Sequence, residues 1–386
     1  MEIFVLSFIS FLSGLALLEF LRKKRFIKEL RENILKSTPV SELIAFHPDS
    51  SCREGPSDVK GAPTETDCAN LHIPLSAFIR EYIASFENVN PALSTSVSHS
   101  FLNTGKMLRS RLAFNLSQAL GAELNYNLLA CAEMEHTASL IHDDIVDSSN
   151  LRRGLPSYCS LFGNRIAALH GDFVVAALVI KLANVSHHSV TELFSASMLD
   201  LVKGEFLQLG VSVHVKNTRK DEMIQKLLQE YLIKSFLKTA SLFVVSCESV
   251  ALIHKPAMRN PMRELGTNIG LCFQIVDDIL DLRDEKSTLK PSGGFDLLSG
   301  HATAPVIYAA EEDPCLIPLI ARRFSEHSDV EYALRSLRGS SGLRKAEVLA
   351  DQYASAALEI VERLFEPSIA RNALQSLIRS ITSRKS

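Results

Sequence analysis

Two short acidic runs constrain this chain more than anything else in it: DDIVD at 143–147 and DDILD at 277–281. Each places acids at i, i+1 and i+4, and each ends a long apolar-periodic stretch. On a helix, i and i+4 share a face, so Asp143 and Asp147 project together, as do Asp277 and Asp281. Clustered carboxylates at the end of an otherwise buried helix repel one another unless a cation sits among them. A solvated helix end explains one such motif well and explains two poorly. The chain must therefore be read as a helical scaffold that brings two acidic groups to something positive.

The rest of the sequence agrees with a helical scaffold. Apolar residues make up 46% and charged residues 22% of the 386 residues, which is enough for a sizeable core. The net charge of −3 gives no footprint for nucleic acid, and none is expected as a partner. Tryptophan is absent, and the seven cysteines form no CxxC pair, which argues against a disulfide framework and a structural zinc site. From residue 71 onward the pattern predicts helices at 75–88, 106–120, 127–149, 161–185, 190–211, 221–252, 261–282 and 302–311, with more near 314–324, 328–337 and 343–382. Runs with strand-like alternation are few and short. Segments 71–386 read as one all-α domain, a helical bundle.

The first 70 residues differ. Phe4 to Leu21 is an eighteen-residue run with one charge, Glu19, followed by Arg22, Lys23, Lys24 and Arg25. Residues 1–25 read as a hydrophobic anchor or a targeting segment, with a soluble packing helix as the third possibility. As an anchor, the basic cluster would leave the body of the chain cytosolic. Residues 26–70 form a linker, Pro-, Gly- and Ser-rich from 47 onward, that we expect to be partly disordered.

Basic residues stand where an anion-binding site needs them. Lys106 and Arg109 lie three apart at a helix start, Arg152 and Arg153 follow the first acidic motif, and Lys234 and Lys238 lie four apart on an apolar helix. Arg offers a fork of donors to phosphate oxygens, and Lys a compact charge. Carboxylates commonly share Mg²⁺ with phosphate oxygens of a substrate, so acids and bases together point to diphosphate chemistry. Singly, each of these cations is an ordinary surface charge.

The segments HTASLIHDDIVDSSNLRRGLPS and GTNIGLCFQIVDDILDLRDEKSTLKPSGGFDLLSGHATAPVIYA resemble the two aspartate-rich regions of the trans-isoprenyl diphosphate synthases. GKMLR at 105–109, GEFLQ at 204–208 and YLIKSFLKTASL are similar to further motifs of that family, and the likeness covers about 95–380. It implies an isoprenoid-synthase-type α-bundle around a central cavity, with an N-terminal hydrophobic helix added here, and a homodimer. It implies that Asp143, Asp144, Asp147, Asp277, Asp278 and Asp281 hold a trio of Mg²⁺ ions, with Asp143, Asp147, Lys234 and Asp277 central to catalysis. Arg152, Lys234, Ser235, Gln274 and Lys290 would contact an allylic diphosphate, farnesyl or geranylgeranyl. Lys106, Arg109, His136 and Arg153 would bind isopentenyl diphosphate. The family reaction is ionisation, condensation and elimination, extending a polyprenyl diphosphate.

One turn before Asp143 stand Ala138 and Ser139. In the family, small residues there resemble an open shaft, and DLLSGHATAPVIYA resembles hexaprenyl, solanesyl and decaprenyl synthases. A long all-trans product follows, such as a quinone side chain needs, with geranylgeranyl diphosphate as the competing product. A non-catalytic subunit of a heteromeric synthase and a class I terpene cyclase are the competing roles. Three features depart from the family pattern. Ser110 stands where Pro commonly follows the Arg, LKPSGG shifts the spacing around Lys290, and His301 replaces a frequent Lys. An apolar product suits a membrane-associated enzyme, in the endoplasmic reticulum or the mitochondrion. Deleting residues 1–25 is then expected to release the chain from membranes, and fractionation of cells expressing both forms checks this. An unchanged distribution and unchanged turnover would rule out the anchor.

Overall fold

The computed structural model describes residue 79 and residues 105–152, 154–209, 219–283 and 294–384. The expected anchor, the linker, most of the 75–88 helix, Arg153 and Lys290 lie outside these residues, although Ile79 is helical and fully buried.

The described chain is a bundle of helices with one two-residue hairpin. In order these are α1 (Leu108–Ala119), α2 (Tyr126–Val146), β1 (Leu151–Arg152), β2 (Leu155–Pro156), α3 (Tyr158–Phe162), α4 (Asn164–Val185), α5 (His188–Leu209) and α6 (Lys220–Ser235). A π-helical turn (Phe236–Ala240) leads into α7 (Ser241–His254), a 3₁₀ turn (Pro256–Met258) and α8 (Arg259–Arg283). Then come α9 (Phe295–Leu298), α10 (Ala304–Glu312), α11 (Leu316–Ala321), α12 (Asp329–Arg338), α13 (Gly342–Leu364) and α14 (Ile369–Thr382). Strands β1 and β2 pair antiparallel, Leu151 with Pro156 and Arg152 with Leu155.

Local chemistry sets several boundaries. Asn125 caps α2 by accepting from Leu128 N at 3.1 Å, and Ser368 caps α14 by accepting from Arg371 N at 3.1 Å. The expected single helix at 161–185 is broken at Gly163, whose φ of 80° the bulkier residues avoid. The expected helix at 343–382 is two, separated before the Ser368 cap. The 221–252 stretch is continuous but not regular, because the π-turn falls inside it.

The core centres on α7, buried from Ser241 to Leu252, packed against α8. Two glycines four residues apart make that contact possible. A Cβ on Gly266 would lie 2.6 Å from Val244 Cα, and one on Gly270 would lie 2.4 Å from Ala240 Cα. Both obstacles are backbone, so neither helix can yield locally. The one acid deep in α7, Glu248, is fully buried and held by Arg259 at 2.5 Å and Arg263 at 3.3 Å. Two helical stretches, Asn164–Val185 and Lys220–His254, are long and apolar enough to cross a membrane, but the second is 89% buried inside the bundle. Helices α4 and α5 differ: Ile166, Leu169, Val179, Ile180, Leu199 and Val202 are all exposed.

Gly270→Ala is expected to destabilise the fold by about 2 kcal/mol or more, since the extra carbon overpacks a backbone contact. Urea denaturation of the variant beside the parent measures it.

Candidate active site

The bundle positions two acidic helix ends across a cavity of about 280 Å³. Asp143 and Asp147 reach it from the C-terminal end of α2, and Asp277 and Asp278 from the last turns of α8. Between them the wall is made by α6 and the π-turn, which contribute Tyr231, Lys234, Ser235, Lys238 and Thr239. Arg109 enters from the first turn of α1, His136 and Ser139 from α2, Gln208 from α5 and Arg152 from the hairpin. Leu140, Phe273 and Phe295 supply apolar surface.

Each acidic arm is matched with one lysine. On the first, Lys238 Nζ lies 2.5 Å from Glu205 Oε1 and donates to Gln208 Oε1 at 2.9 Å. Burial pushes the Asp143 carboxyl up to about 8, and nearby Glu205 and Asp147 add to the shift while Lys238 opposes it. Asp147 is raised as well, chiefly by burial. Burial alone would lower Lys238, but Glu205, Asp143 and Asp147 outweigh it and its net shift is upward.

On the second arm, Asp278 is buried and accepts from Tyr231 Oη at 2.6 Å and from Gln274 Nε2 at 2.7 Å. Burial, then Asp296, holds its carboxyl well above the ordinary range. Asp296, on α9, is itself pushed up to about 6 by burial and by Asp281. Burial lowers Lys234, with Asp278 and Asp296 opposing. His301 falls to about 3, from burial and then the Lys234 charge, so it stands there neutral.

More carboxylates than lysines therefore face the pocket, and Asp147 and Asp277 among them also reach solvent. The donors are hard oxygens, so a divalent cation such as Mg²⁺ fits the site chemically. Among the described residues, no group of three or more acids, histidines or cysteines closes on a single point. The remaining ligands would have to come from a bound phosphate or water, which is the usual way Mg²⁺ is held.

The six expected metal-site aspartates divide. Asp143, Asp147 and Asp277 line the cavity with nothing between them and it, and the Arg384 guanidinium approaches Asp277 Oδ1 to 3.3 Å. Asp144 is 3% exposed and lies outside the lining, where its Oδ1 accepts from Arg152 Nε at 3.0 Å and Nη2 at 2.5 Å. Its evident work is to hold Arg152 against the site. Asp278 serves the wall, bonded to Tyr231 and Gln274. Asp281 accepts from the backbone N–H of Phe295 and Asp296, each at 3.1 Å, and so caps α9 and carries Asp296 inward.

Of the expected substrate-binding residues, Arg109, His136, Arg152, Lys234, Ser235 and Gln274 all line the cavity. Lys106 is exposed and outside the lining. Ala138 is buried and Ser139 lines the cavity, its Oγ donating to His136 O at 2.9 Å. Tyr231, Thr239 and Asp296 fall within the family-like segments but were not among the expected site residues. Thr239 Oγ1 donates to Gln274 Oε1 at 2.6 Å, and Tyr231 meets an acid 47 positions away, so these roles exist only in the folded chain.

Residues 90–337 match the family described as Polyprenyl synthetase. The chain is 37% identical over 295 residues to the mitochondrial hexaprenyl pyrophosphate synthase of Saccharomyces cerevisiae, covering 67% of this chain and 62% of that protein. It is 36% identical over 302 residues to the prenyl transferase of Cyanophora paradoxa, covering 76% of this chain and 90% of that one. Among solved structures, heptaprenyl diphosphate synthase from Staphylococcus aureus superposes with a TM-score of 0.72 at 28% identity, covering 82% and 98% of the two chains. A polyprenyl synthase from Caulobacter crescentus, complexed with calcium and isoprenyl diphosphate, gives 0.70 at 28% identity, covering 85% and 100%.

The buried acids make metal-free stability depend on pH. Asp143 keeps its proton in the folded chain up to about 8, whereas an unfolded aspartate loses it near 4. Stability present below about pH 4 is therefore lost as pH rises through this window. In thermal melts without metal, Asp143→Asn is expected to flatten that decline. An equally steep decline in the variant would show that Asp143 does not hold this proton.

Proposed function

Because the chain belongs to the polyprenyl synthetase family, we propose that it is a Mg²⁺-dependent trans-prenyltransferase joining isopentenyl diphosphate to an allylic diphosphate, and that its product is a long all-trans polyprenyl diphosphate. The observation that carries this reading is the cavity itself, where two carboxylate arms face each other with Arg109, Arg152, Lys234 and Lys238 between them. Acids alone would serve a metal store, and cations alone an anion site. Both on one cavity suit a diphosphate that is bound through metal and released as an anion.

Asp143, Asp147 and Asp277 would hold Mg²⁺, which supplies positive charge to the diphosphate as it leaves. The chain's own groups do the rest. Lys234 and Arg152 neutralise the oxygens of the allylic diphosphate, and Gln274 helps to orient it, while the allylic C–O bond breaks, the electron pair leaving with oxygen. Arg109 and His136 hold the second diphosphate so that the isopentenyl double bond faces the new cation. A C–C bond then forms from that double bond, and a proton passes to an oxygen of the released diphosphate. Leu140, Phe273 and Phe295 keep water from quenching the cation. No side-chain nucleophile is required by this reaction.

The long product rests on Ala138 and Ser139, too small to floor the cavity, and on relatives named hexaprenyl, decaprenyl and solanesyl synthases. The exposed apolar face of α4 and α5 is the natural place for a second copy in a homodimer. The hexaprenyl synthases named mitochondrial favour that compartment over the endoplasmic reticulum, with a quinone side chain as the product's use.

Purified full-length chain with Mg²⁺, isopentenyl diphosphate and farnesyl or geranylgeranyl diphosphate is expected to give a ladder of products reaching hexaprenyl length or beyond, sized after dephosphorylation. A stop at geranylgeranyl keeps the reaction and rejects the open shaft. No consumption with any primer rejects the reaction and favours a non-catalytic subunit. Asp277→Asn is expected to lower turnover by roughly a hundredfold or more.

A further inference from the structure

The start of α1 is held in an unusual way. Gly105 and Met107 both have positive φ, 64° and 44°, and Met107 at the N-cap makes no side-chain capping bond. First-turn N–H groups of a helix need partners from elsewhere when the cap gives none. Here the partner comes from another helix. Ser110 N donates to Glu133 Oε1 of α2 at 3.1 Å. Ser110 Oγ lies 2.9 Å from the same oxygen and 2.8 Å from Leu129 O, so its one proton serves these two acceptors. Both side chains are buried, Ser110 at 0% and Glu133 at 2% exposure. A carboxylate at a helix N-terminus also meets the favourable end of the helix dipole.

This clasp sits next to the chemistry on both sides. Arg109 immediately precedes Ser110, lines the cavity, and sets its guanidinium 4.6 Å from the centre of the Phe243 ring. Glu133 lies one turn before His136 on α2, the helix that carries Asp143 in its last turn. The departure from the family pattern at Ser110 thereby acquires a use, since a proline there would have no N–H to give.

We propose that Glu133, through Ser110, is a positioning residue that fixes Arg109 relative to the Asp143 arm and so sets the spacing between the two diphosphates. The proposal rests on the reaction proposed above, with Arg109 serving isopentenyl diphosphate. A group held through two buried bonds is placed to within fractions of an ångström, and displacements of that order change rates and affinities severalfold.

The test uses the full-length, Mg²⁺-supplied enzyme and the variants Glu133→Ala, Glu133→Gln and Ser110→Ala. Glu133→Ala is expected to raise KM for isopentenyl diphosphate about tenfold, with KM for the allylic substrate changed less than about twofold and kcat at saturation near that of the parent. Glu133→Gln keeps an acceptor oxygen and is expected to behave as the parent. Ser110→Ala keeps the N–H, loses the hydroxyl and is expected to shift the same KM by a smaller factor; it carries the test if Glu133→Ala does not fold. Calorimetric binding of isopentenyl diphosphate alone gives a second readout, independent of turnover. Weaker binding by Glu133→Ala with Glu133→Gln restored upholds the clasp even if the parent shows no turnover, an outcome that counts against the reaction instead. Equal affinities in parent and Glu133→Ala, or a fall in kcat with both KM values moving together and no rescue by Gln, would overturn it.

Discussion

Like charges brought together out of water dominate this molecule. Two acids at unit charge a few ångströms apart cost little in water and several kcal/mol in a partly dry pocket. The fold meets that cost twice, at Asp143 with Glu205 and at Asp278 with Asp296, by raising a carboxyl so that it keeps its proton and by setting one lysine beside each pair. Lys238 is pinned between Glu205 and Gln208, while Lys234 stands 5.9 Å from the centre of the Tyr231 ring. The glycine contacts of α8 against α7 matter for this reason, because they hold the lysine-bearing helix and the Asp277 helix at closest approach.

A second layer of residues keeps the acids apart. Asp144 and Asp281, and Asp278 although it also lines the cavity, belong to the same two motifs yet spend their oxygens on Arg152, on the N-terminus of α9, and on Tyr231 with Gln274. One motif thus supplies ligands and scaffolding from adjacent positions. The hairpin, α9 and the π-turn, the least regular elements of the bundle, are all fastened in this way or placed beside it.

Much of this was legible in the sequence. Spacing of i to i+4 put Asp143 with Asp147 on one face, and apolar periodicity marked most helices to within a few residues. Two kinds of feature were not legible. Boundaries set by one residue's backbone, such as Gly163, are invisible to hydrophobic period. Division of labour within a motif depends on partners from distant chain: nothing around Asp278 announces Tyr231, and nothing in FDLL announces that Asp281 will turn Asp296 inward. The match to the family fixed which motifs mattered, and the folded chain fixed which atoms of them face the cavity.

The π-turn at Phe236–Ala240 carries a further implication. Such a turn holds one residue more than an α-helical turn, and each residue of an α-helix advances the phase by about 100°. Lys234 and Tyr231 lie on one side of this insertion, and the buried face of α7 on the other. The two halves are therefore out of step by design. Smoothing the helix would turn either the lysines from the acids or Val244 and its neighbours from the glycines of α8. A change of length along this stretch would therefore shift the register of the core and that of the chemistry together.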